Sequence, residues 1–167
     1  MSKKFEVNRE GYTNVYVDGC CLNQGTPQSA AGYGIFWGPN NKNNLAGQSR
    51  KNATNNVAEI QGATVAIQQA ARLGIKKLCV VTDSENVYDA VTEHLPQWKK
   101  NGWHRLYEGH SKQPIKDRAA YEKLDKAIHG NSKVAIKFQL VEAHSGNQNH
   151  NAADRLAAEG ARLHYNN

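Results

Sequence analysis

The spacing of apolar residues changes several times along this chain of 167 residues, and that change limits the folds it can adopt. Residues 14–22, 31–38 and 45–51 have the alternation and the intervening turn residues of neighbouring antiparallel strands. Residues 55–73 instead carry apolar side chains at helical spacing, and Gly74 follows where a C-cap glycine belongs. The first half of the chain is therefore expected to form three antiparallel strands and then a helix.

The second half of the sequence predicts further strands and helices. The β-branched run at 77–82 suits a buried parallel strand. The other expected elements are helices at 84–93, from Pro96, at 117–129 and at 151–164, and a strand at 133–141. This order predicts an α/β fold with a mixed sheet and helices on its faces, in which ligands gather where strands end.

Four acidic residues stand beside apolar segments in separate parts of the sequence: Asp18, Glu59, Asp83 and Asp154. A buried carboxylate must be paired, protonated or bound to a cation, so a convergent set of four would bind divalent metal ions. Taken singly, each has a plainer explanation. Asp83 could belong to a helix N-cap with Ser84, and Glu59 and Asp154 could be favourable acids in the first turn of a helix.

Charge and composition restrict the partners and the setting. The net charge of +6 and the pI near 9.2 favour a polyanionic partner such as nucleic acid. The first ten residues lack the apolar core of a signal peptide and no long apolar run follows, so we expect an intracellular protein, cytoplasmic or nuclear, with no membrane partner. The three cysteines predict neither zinc nor disulfides: Cys79 is expected in the core, and Cys20 and Cys21 beside Asp18.

Five ordered motifs resemble the type 1 ribonuclease H family from about residue 14 to residue 161. They are Tyr-Val-Asp-Gly-Cys at 16–20, Thr-Asn-Asn-Val-Ala-Glu-Ile at 54–60, Thr-Asp-Ser at 82–84, Trp-Lys-Lys-Asn-Gly-Trp at 98–103, and Ala-His-Ser-Gly at 143–146 followed by Ala-Asp-Arg-Leu-Ala at 153–157. The resemblance implies a ribonuclease H-like five-stranded mixed sheet, with three antiparallel then parallel strands and helices on both faces. It also implies endonucleolytic cleavage of RNA paired to DNA.

The resemblance assigns roles to the four acids. Asp18, Glu59, Asp83 and Asp154 would be catalytic residues that bind two Mg²⁺ ions, with Mn²⁺ as a possible substitute, since hard oxygen ligands suit both metals. Two ions roughly 3.5–4 Å apart would then support hydrolysis of the RNA strand. The implied products carry 3′-hydroxyl and 5′-phosphate ends.

His144 is the fifth catalytic residue that the resemblance implies. It lies in a loop rich in glycine and asparagine, immediately before the predicted helix that carries Asp154. An imidazole in such a loop could carry protons or help product release. Substitution of His144 is therefore expected to slow turnover without abolishing metal binding.

The expected contacts with an RNA–DNA hybrid fall into two groups. The segment with Trp98, Lys99, Lys100 and Trp103 resembles the basic protrusion that holds the DNA strand, and its alternative is an ordinary basic helix end with tryptophans in the core. The second group lies near the acids and comprises Cys20, Cys21, Asn23, Gln24, Thr54, Asn55, Asn56 and Lys116. Thr54 is expected to bind a DNA phosphate, and polar groups in this set could read the RNA 2′-hydroxyl.

Several positions depart from the family pattern. Asn86 and His94 stand where close relatives often have aromatic residues along the DNA channel, and Asn52 and Lys116 replace an arginine and an asparagine that help bind a phosphate. Asn86 and His94 offer less stacking surface, and Lys116 replaces a directional hydrogen bond with a point charge. Both changes predict an altered affinity for the hybrid. Asn149 occupies the place of an expected glycine, which predicts altered loop dynamics.

Domain organisation is expected to be simple. Residues 1–13 would be an N-terminal extension and residues 14–167 the ribonuclease H catalytic domain, a monomer with no obligate protein partner. No separate N-terminal hybrid-binding module, such as many relatives carry, is expected, so less processive binding is expected.

Two alternative functions stay open. One is a related resolvase or integrase, against which the histidine loop and basic protrusion argue. The other is a non-catalytic paralogue, against which the retained acids argue.

Overall fold

The computed structural model describes residues 5–106, 112–143 and 146–165 of the chain. Its strands are β1 (Thr13–Leu22), β2 (Ala30–Phe36), β3 (Leu45–Gln48), β4 (Lys77–Thr82), β5 (His104–Leu106), β6 (Lys112–Pro114) and β7 (Ala135–Leu140). Its α-helices are α1 (Asn55–Arg72), α2 (Glu85–Asp89), α3 (Leu95–Lys100), α4 (Arg118–His129) and α5 (Gln148–Arg162). Within these ranges, no helix has both the length and the apolar character needed to cross a membrane.

Five strands form the central sheet in the order β3-β2-β1-β4-β7. Strand β2 pairs antiparallel with both β1 and β3, whereas β4 pairs parallel with both β1 and β7. The structure therefore confirms the expected mixed sheet of three antiparallel and then parallel strands. Strands β1 and β4 lie at its centre, so the residues that follow their apolar cores meet at one edge.

Helix α1 covers one face of the sheet and packs against it through large apolar side chains. The buried core on this face includes Val15, Val17, Ile35, Trp37, Ile60, Ile67, Leu78 and Val80. Trp37 is fully buried, and its Nε1 donates a 2.9 Å hydrogen bond to Oε1 of Gln69 on α1. Burying each large side chain stabilises the fold by about 1.5–3 kcal/mol, so this face holds α1 in a defined position.

Helix α5 covers the opposite face and approaches the sheet much more closely. A Cβ atom at Gly34 would collide with the carbonyl oxygen of Ala153, and only glycine lets the strand and helix backbones meet there. Ala153, Ala157 and Ala161 are fully buried along the same side of α5. The small side chains therefore bring the first half of α5 against β1 and β2, and helices on both faces of the sheet are confirmed.

Several boundaries differ from the sequence prediction. Helix α5 begins at Gln148 rather than at residue 151, because the Asn147 side chain caps it by accepting a 2.9 Å hydrogen bond from the backbone N–H of His150. The helices expected at 84–93 and from Pro96 are joined by a π-helical turn at Ala90–His94. The hairpin of β5 and β6 was not expected, since strands of three residues are too short for a recognisable alternation.

Residues 5–12, in the expected N-terminal extension, pack against the domain. The Phe5 ring meets Trp37 edge to face with centroids 5.6 Å apart, and Val7 forms a bridge with Thr13. Glu6 accepts hydrogen bonds of 2.6 Å from Asn14 Nδ2 and from the Tyr16 hydroxyl. This segment therefore contributes contacts to β1 and to the core.

Candidate active site

The four acids predicted from the sequence line a single cavity of about 660 Å³ at the edge of the sheet. Asp18 lies within β1, Glu59 in the second turn of α1, Asp83 directly after β4, and Asp154 in the second turn of α5. The remaining lining is polar: Gly19, Gln24, Thr54, Asn55, Asn56, Ser84, Glu85, Asn86, Lys116, His150 and Asn151. The fold thus brings together side chains that are far apart in the sequence.

Local structure explains why the carboxylates reach this cavity. A Cβ atom at Gly19 would collide with the Glu59 side chain, so the glycine after Asp18 makes room for Glu59 beside β1. Ser84, not Asp83, caps α2, with its Oγ accepting a 3.1 Å hydrogen bond from the backbone N–H of Val87. Asp83 therefore does not cap the helix, and its carboxylate faces the other acids.

Burial makes the cluster of acids electrostatically unfavourable in the absence of a cation. Asp18 and Glu59 are each only 5% exposed. Burial raises the pKa of Asp18 to about 9, with the Glu59 and Asp83 carboxylates acting in the same direction, and burial raises the pKa of Glu59 to about 7. Glu59 Oε2 is buried and has no hydrogen-bond partner in the part of the chain that the structure describes.

Those features fit divalent metal ions. An ionised carboxylate oxygen that is buried and unpartnered costs free energy, and a coordinated cation removes that cost. The donor set of carboxylate oxygens is the one that Mg²⁺ and Mn²⁺ prefer. The residues present therefore suit divalent metal ions.

Sequence reasoning missed His150, which lies among the acids. Its side chain is almost fully buried, and its Nε2 is 3.0 Å from Asp83 Oδ2 and 3.8 Å from Asp18 Oδ2. The hydrogen bond between His150 and Asp83 lowers the pKa of Asp83 and raises the pKa of His150. The available signal was its position four residues before Asp154, a spacing that puts both side chains on one face of a helix.

His144 lies outside the described residues, as does the neighbouring Ser145. The loop that contains them leads directly into Asn147, the N-cap of α5. Its predicted role in proton transfer or product release therefore stays a prediction.

Five of the eight predicted nucleic-acid contacts near the acids line the cavity with them: Gln24, Thr54, Asn55, Asn56 and Lys116. Asn56 Nδ2 donates a 2.9 Å hydrogen bond to Asp117 Oδ2, which orients its amide between α1 and the start of α4. Thr54 Oγ1 is the N-cap of α1, because it accepts a 3.2 Å hydrogen bond from the backbone N–H of Val57. Capping leaves the Thr54 hydroxyl proton available to a phosphate oxygen.

A smaller cavity of about 210 Å³ extends the first one towards Trp98. Asn56, Asn86 and Lys116 line both cavities, so they form one groove that leads from the acids to His94 and Trp98. The His94 and Trp98 rings stack with centroids 5.3 Å apart. His94, a departure from the family pattern, therefore still contributes an aromatic face to this groove.

Other predicted contacts lie elsewhere. Cys21 Sγ contacts Ser29 Oγ and the Ala53 carbonyl, and neither it nor Cys20 lines the cavity. Asn23 Nδ2 donates to the Tyr165 hydroxyl. Contacts of both cysteines and Asn23 with nucleic acid therefore stay a prediction, and these residues do not belong to the lining of the cavity itself.

The predicted basic protrusion is divided between core and surface. Trp98 and Trp103 are partly buried and pack against the main core, as the alternative interpretation held for the tryptophans. Lys99 Nζ lies 3.2 Å from Asp125 Oδ2, and Lys100 is exposed. Contacts of these four residues with nucleic acid stay a prediction.

Comparisons with known proteins agree with the motifs. The family model described as RNase H matches residues 10–162. Ribonuclease H1 of Mus musculus is 36% identical over 148 residues, which make up 89% of this chain and 50% of that protein. Ribonuclease H of Pseudoalteromonas translucida (strain TAC 125) is 32% identical over 152 residues, covering 91% of each chain. The chain therefore spans about half the length of its mouse relative and nearly all of the bacterial one.

A solved structure supports the fold. The RNase H domain of PFV, determined in solution, superposes with a TM-score of 0.68 at 23% sequence identity. The match covers 90% of this chain and 94% of the PFV domain. At this identity the likeness concerns the arrangement of strands and helices.

Proposed function

The chain belongs to the ribonuclease H family, as its motifs predicted, and from this membership we propose that it is an endoribonuclease acting on RNA–DNA hybrids. The observation that carries the proposal is the convergence of Asp18, Glu59, Asp83 and Asp154 in one cavity. The buried Glu59 Oε2, which has no partner among the residues described, adds to it, because a cation would explain such an atom. A non-catalytic paralogue would have no reason to retain this costly cluster.

The proposed reaction is phosphodiester hydrolysis with two Mg²⁺ ions held by the four carboxylates, and Mn²⁺ as a possible substitute. When bound, the ions supply an activated water and stabilise the leaving oxygen, which gives 3′-hydroxyl and 5′-phosphate ends. Asp18 and Asp83 are held in place by the sheet, whereas Glu59 and Asp154 are carried by helices packed on opposite faces. Rigid placement of all four keeps the donors oriented before substrate arrives.

The substrate is proposed to lie along the groove that joins the acids to Trp98. Asn55, Asn56 and Gln24 place amide groups beside the acids, where they can hydrogen-bond to 2′-hydroxyl groups and base edges. Lys116 and the Thr54 hydroxyl are placed to bind a phosphate of the DNA strand. His144 is proposed to move protons or assist product release next to the Asp154 helix.

A single chain supplies all four carboxylates, so we propose that the protein acts as a monomer without an obligate protein partner. Size-exclusion chromatography with light scattering checks this point. A mass of twice 18.5 kDa would contradict it.

A cleavage assay tests the proposed function. Labelled RNA–DNA hybrid, double-stranded RNA and double-stranded DNA are each incubated with Mg²⁺ and either the wild-type chain or Asp83→Asn. The expected result is cleavage of the RNA strand of the hybrid by the wild type alone, with 5′-phosphate ends. Cleavage of the DNA strand would favour a resolvase-like or integrase-like activity, and binding without cleavage would favour a non-catalytic role.

A further inference from the structure

An imidazole nitrogen lies among the oxygen donors of the proposed metal site. His150 Nε2 is 3.0 Å from Asp83 Oδ2 and 3.8 Å from Asp18 Oδ2, and one ligand atom from each of the three residues lies within 4.8 Å of the others. Neighbouring ligands of a single ion with metal–ligand distances of 2.0–2.1 Å are separated by about 3.0–3.5 Å. The separation of His150 Nε2 from Asp83 Oδ2 already matches that spacing, and Asp18 Oδ2 lies a few tenths of an ångström beyond it.

The position of His150 is determined by its surroundings on both sides. Its backbone N–H donates to the Asn147 cap at 2.9 Å, which fixes the first turn of α5. Asn149 Nδ2, one residue earlier, donates to Glu6 Oε2 at 2.8 Å and ties that turn to the N-terminal segment. Asp154, four residues later, points from the same face of the helix into the cavity. These hydrogen bonds fix the backbone that carries the His150 side chain into the cavity.

An ordinary buried histidine is a poor explanation for this arrangement. The side chain is 4% exposed and lines the cavity, and its close polar neighbours are carboxylates proposed to bind metal. Glu59 Oε2 provides an independent sign that a cation belongs here, because it is buried without a partner among the residues described. A nitrogen donor in a carboxylate cluster also has a chemical consequence, since imidazole suits transition metals better than it suits Mg²⁺.

We propose that His150 supplies a nitrogen ligand to a divalent ion held between Asp18 and Asp83, and that this makes the site favour Mn²⁺ over Mg²⁺. The inference rests on the proposed function only in that Asp18 and Asp83 bind metal. Coordination uses the Nε2 lone pair, so the ring proton resides on Nδ1, which is buried and has no partner within the described ranges. Because this N–H has no partner there, His150 is expected to raise the Mn²⁺ affinity by only about tenfold.

Pulsed electron paramagnetic resonance with Mn²⁺ as the probe tests the ligand directly. The wild-type chain is expected to show electron spin echo modulation from a coordinated ¹⁴N nucleus, and labelling the histidines with ¹⁵N is expected to change the modulation frequencies. His150→Asn removes the modulation but keeps a side chain that can hydrogen-bond to Asp83. His144→Ala, the matched control in the adjacent loop, retains it. Absence of nitrogen modulation in the wild type, or its loss in His144→Ala, overturns the proposal.

Affinity measurements give a second and independent readout. Calorimetric titration is expected to show Mn²⁺ binding weakened about tenfold in His150→Asn, with Mg²⁺ binding changed much less. Tighter Mn²⁺ binding in the variant would mean that His150 competes with the metal for Asp83, and the proposal fails. The wild-type isotope experiment decides the matter if His150→Asn does not fold. Cleavage of the hybrid by the wild type reports on the proposed function separately, so either idea can fail alone.

Discussion

Two carboxylate sites share strand β1 but differ in how their charge is accommodated. Glu6 accepts hydrogen bonds from Asn14 and Tyr16 through Oε1 and from Asn149 through Oε2. Glu59, beside Asp18, has a buried Oε2 with no partner in the portion that the structure describes. The Glu6 site is complete with protein donors alone and has a structural role. The Glu59 site lacks such donors among the described residues and is proposed to bind a cation, which distinguishes a functional cluster from a structural one.

The largest expected effect comes from the same chemical change at both sites. Glu59→Gln removes a charge proposed to bind metal, which is worth several kcal/mol to the transition state, so hybrid cleavage is expected to fall about a thousandfold. Glu6→Gln keeps side-chain oxygen at its position and is expected to stay within about threefold. Steady-state cleavage of labelled hybrid measures both variants. Equal losses would erase the functional distinction between the sites.

The second prediction concerns stability, for which the Glu6 site is expected to matter more than it does for cleavage. Glu6→Ala removes three hydrogen-bonded contacts that join the N-terminal segment, β1 and α5, and should lower the free energy of unfolding by about 1–3 kcal/mol. Glu10→Ala is the control, because the Glu10 side chain forms an exposed ion pair with Lys137. Urea unfolding in EDTA measures each change. A loss no larger than that of the control would show that Glu6 does not hold the start of α5.

The third prediction is the pH dependence of the metal-free protein. Asp18 titrates near 3.8 when unfolded, but burial raises its pKa to about 9 in the fold. Between these values the folded state binds more protons, so stability is expected to fall as pH rises from about 5 to 9. The raised pKa of Glu59 acts in the same direction, as does the raised pKa of His150 above its unfolded value of 6.5.

Thermal melting at several pH values, with and without Mg²⁺, measures this effect. Mg²⁺ is expected to stabilise the protein most at high pH, because it binds the ionised carboxylates. Asp18→Asn is expected to flatten the decline in the metal-free protein. A melting temperature that rises between pH 5 and pH 9 without metal would contradict the raised pKa values of Asp18 and Glu59 in the folded protein.

The smallest predicted effect concerns Lys116, whose charge lies beside the acids. Lys116→Ala is expected to weaken hybrid binding several-fold. The slope of log binding constant against log salt concentration is expected to fall by about 1, the value for one lost phosphate contact. Binding is measured in Ca²⁺ at several salt concentrations. The pH dependence of metal-free stability should not change. A changed pH dependence would show that Lys116 balances the acids, and unchanged hybrid affinity would remove it from the substrate contacts.

Strong local patterns made most of the fold predictable. The strands at the centre and the long helix α1 have regular apolar spacing, and their positions agree with the sequence prediction to within a few residues at most ends. The start of α5 was placed too late because it depends on a side-chain cap, Asn147, in a loop with no apolar pattern. The hairpin of β5 and β6 was missed because pairing, not residue periodicity, defines strands of this length.

The candidate site divides in the same way. Each acid could be found from its motif, and their shared cavity follows from strand ends and small helix faces. Asn23 and Cys21 could not be placed, because one residue along a strand reverses the direction of a side chain and a turn redirects the rest. His150 carried a helical spacing to Asp154, but its contact with Asp83 depends on how α5 crosses the sheet.

By itself, the sequence determined the mixed sheet, the identity of the four acids and the basic surface charge, because periodicity and motif spacing are local properties. Only the tertiary structure decided which polar groups meet. The close contact of α5 with β1 and β2, permitted by Gly34, brings an imidazole between two carboxylates. In the ranges that the structure describes, the buried Glu59 Oε2 has no partner. Such contacts join residues more than sixty positions apart, and their distances depend on backbone packing that no local pattern records.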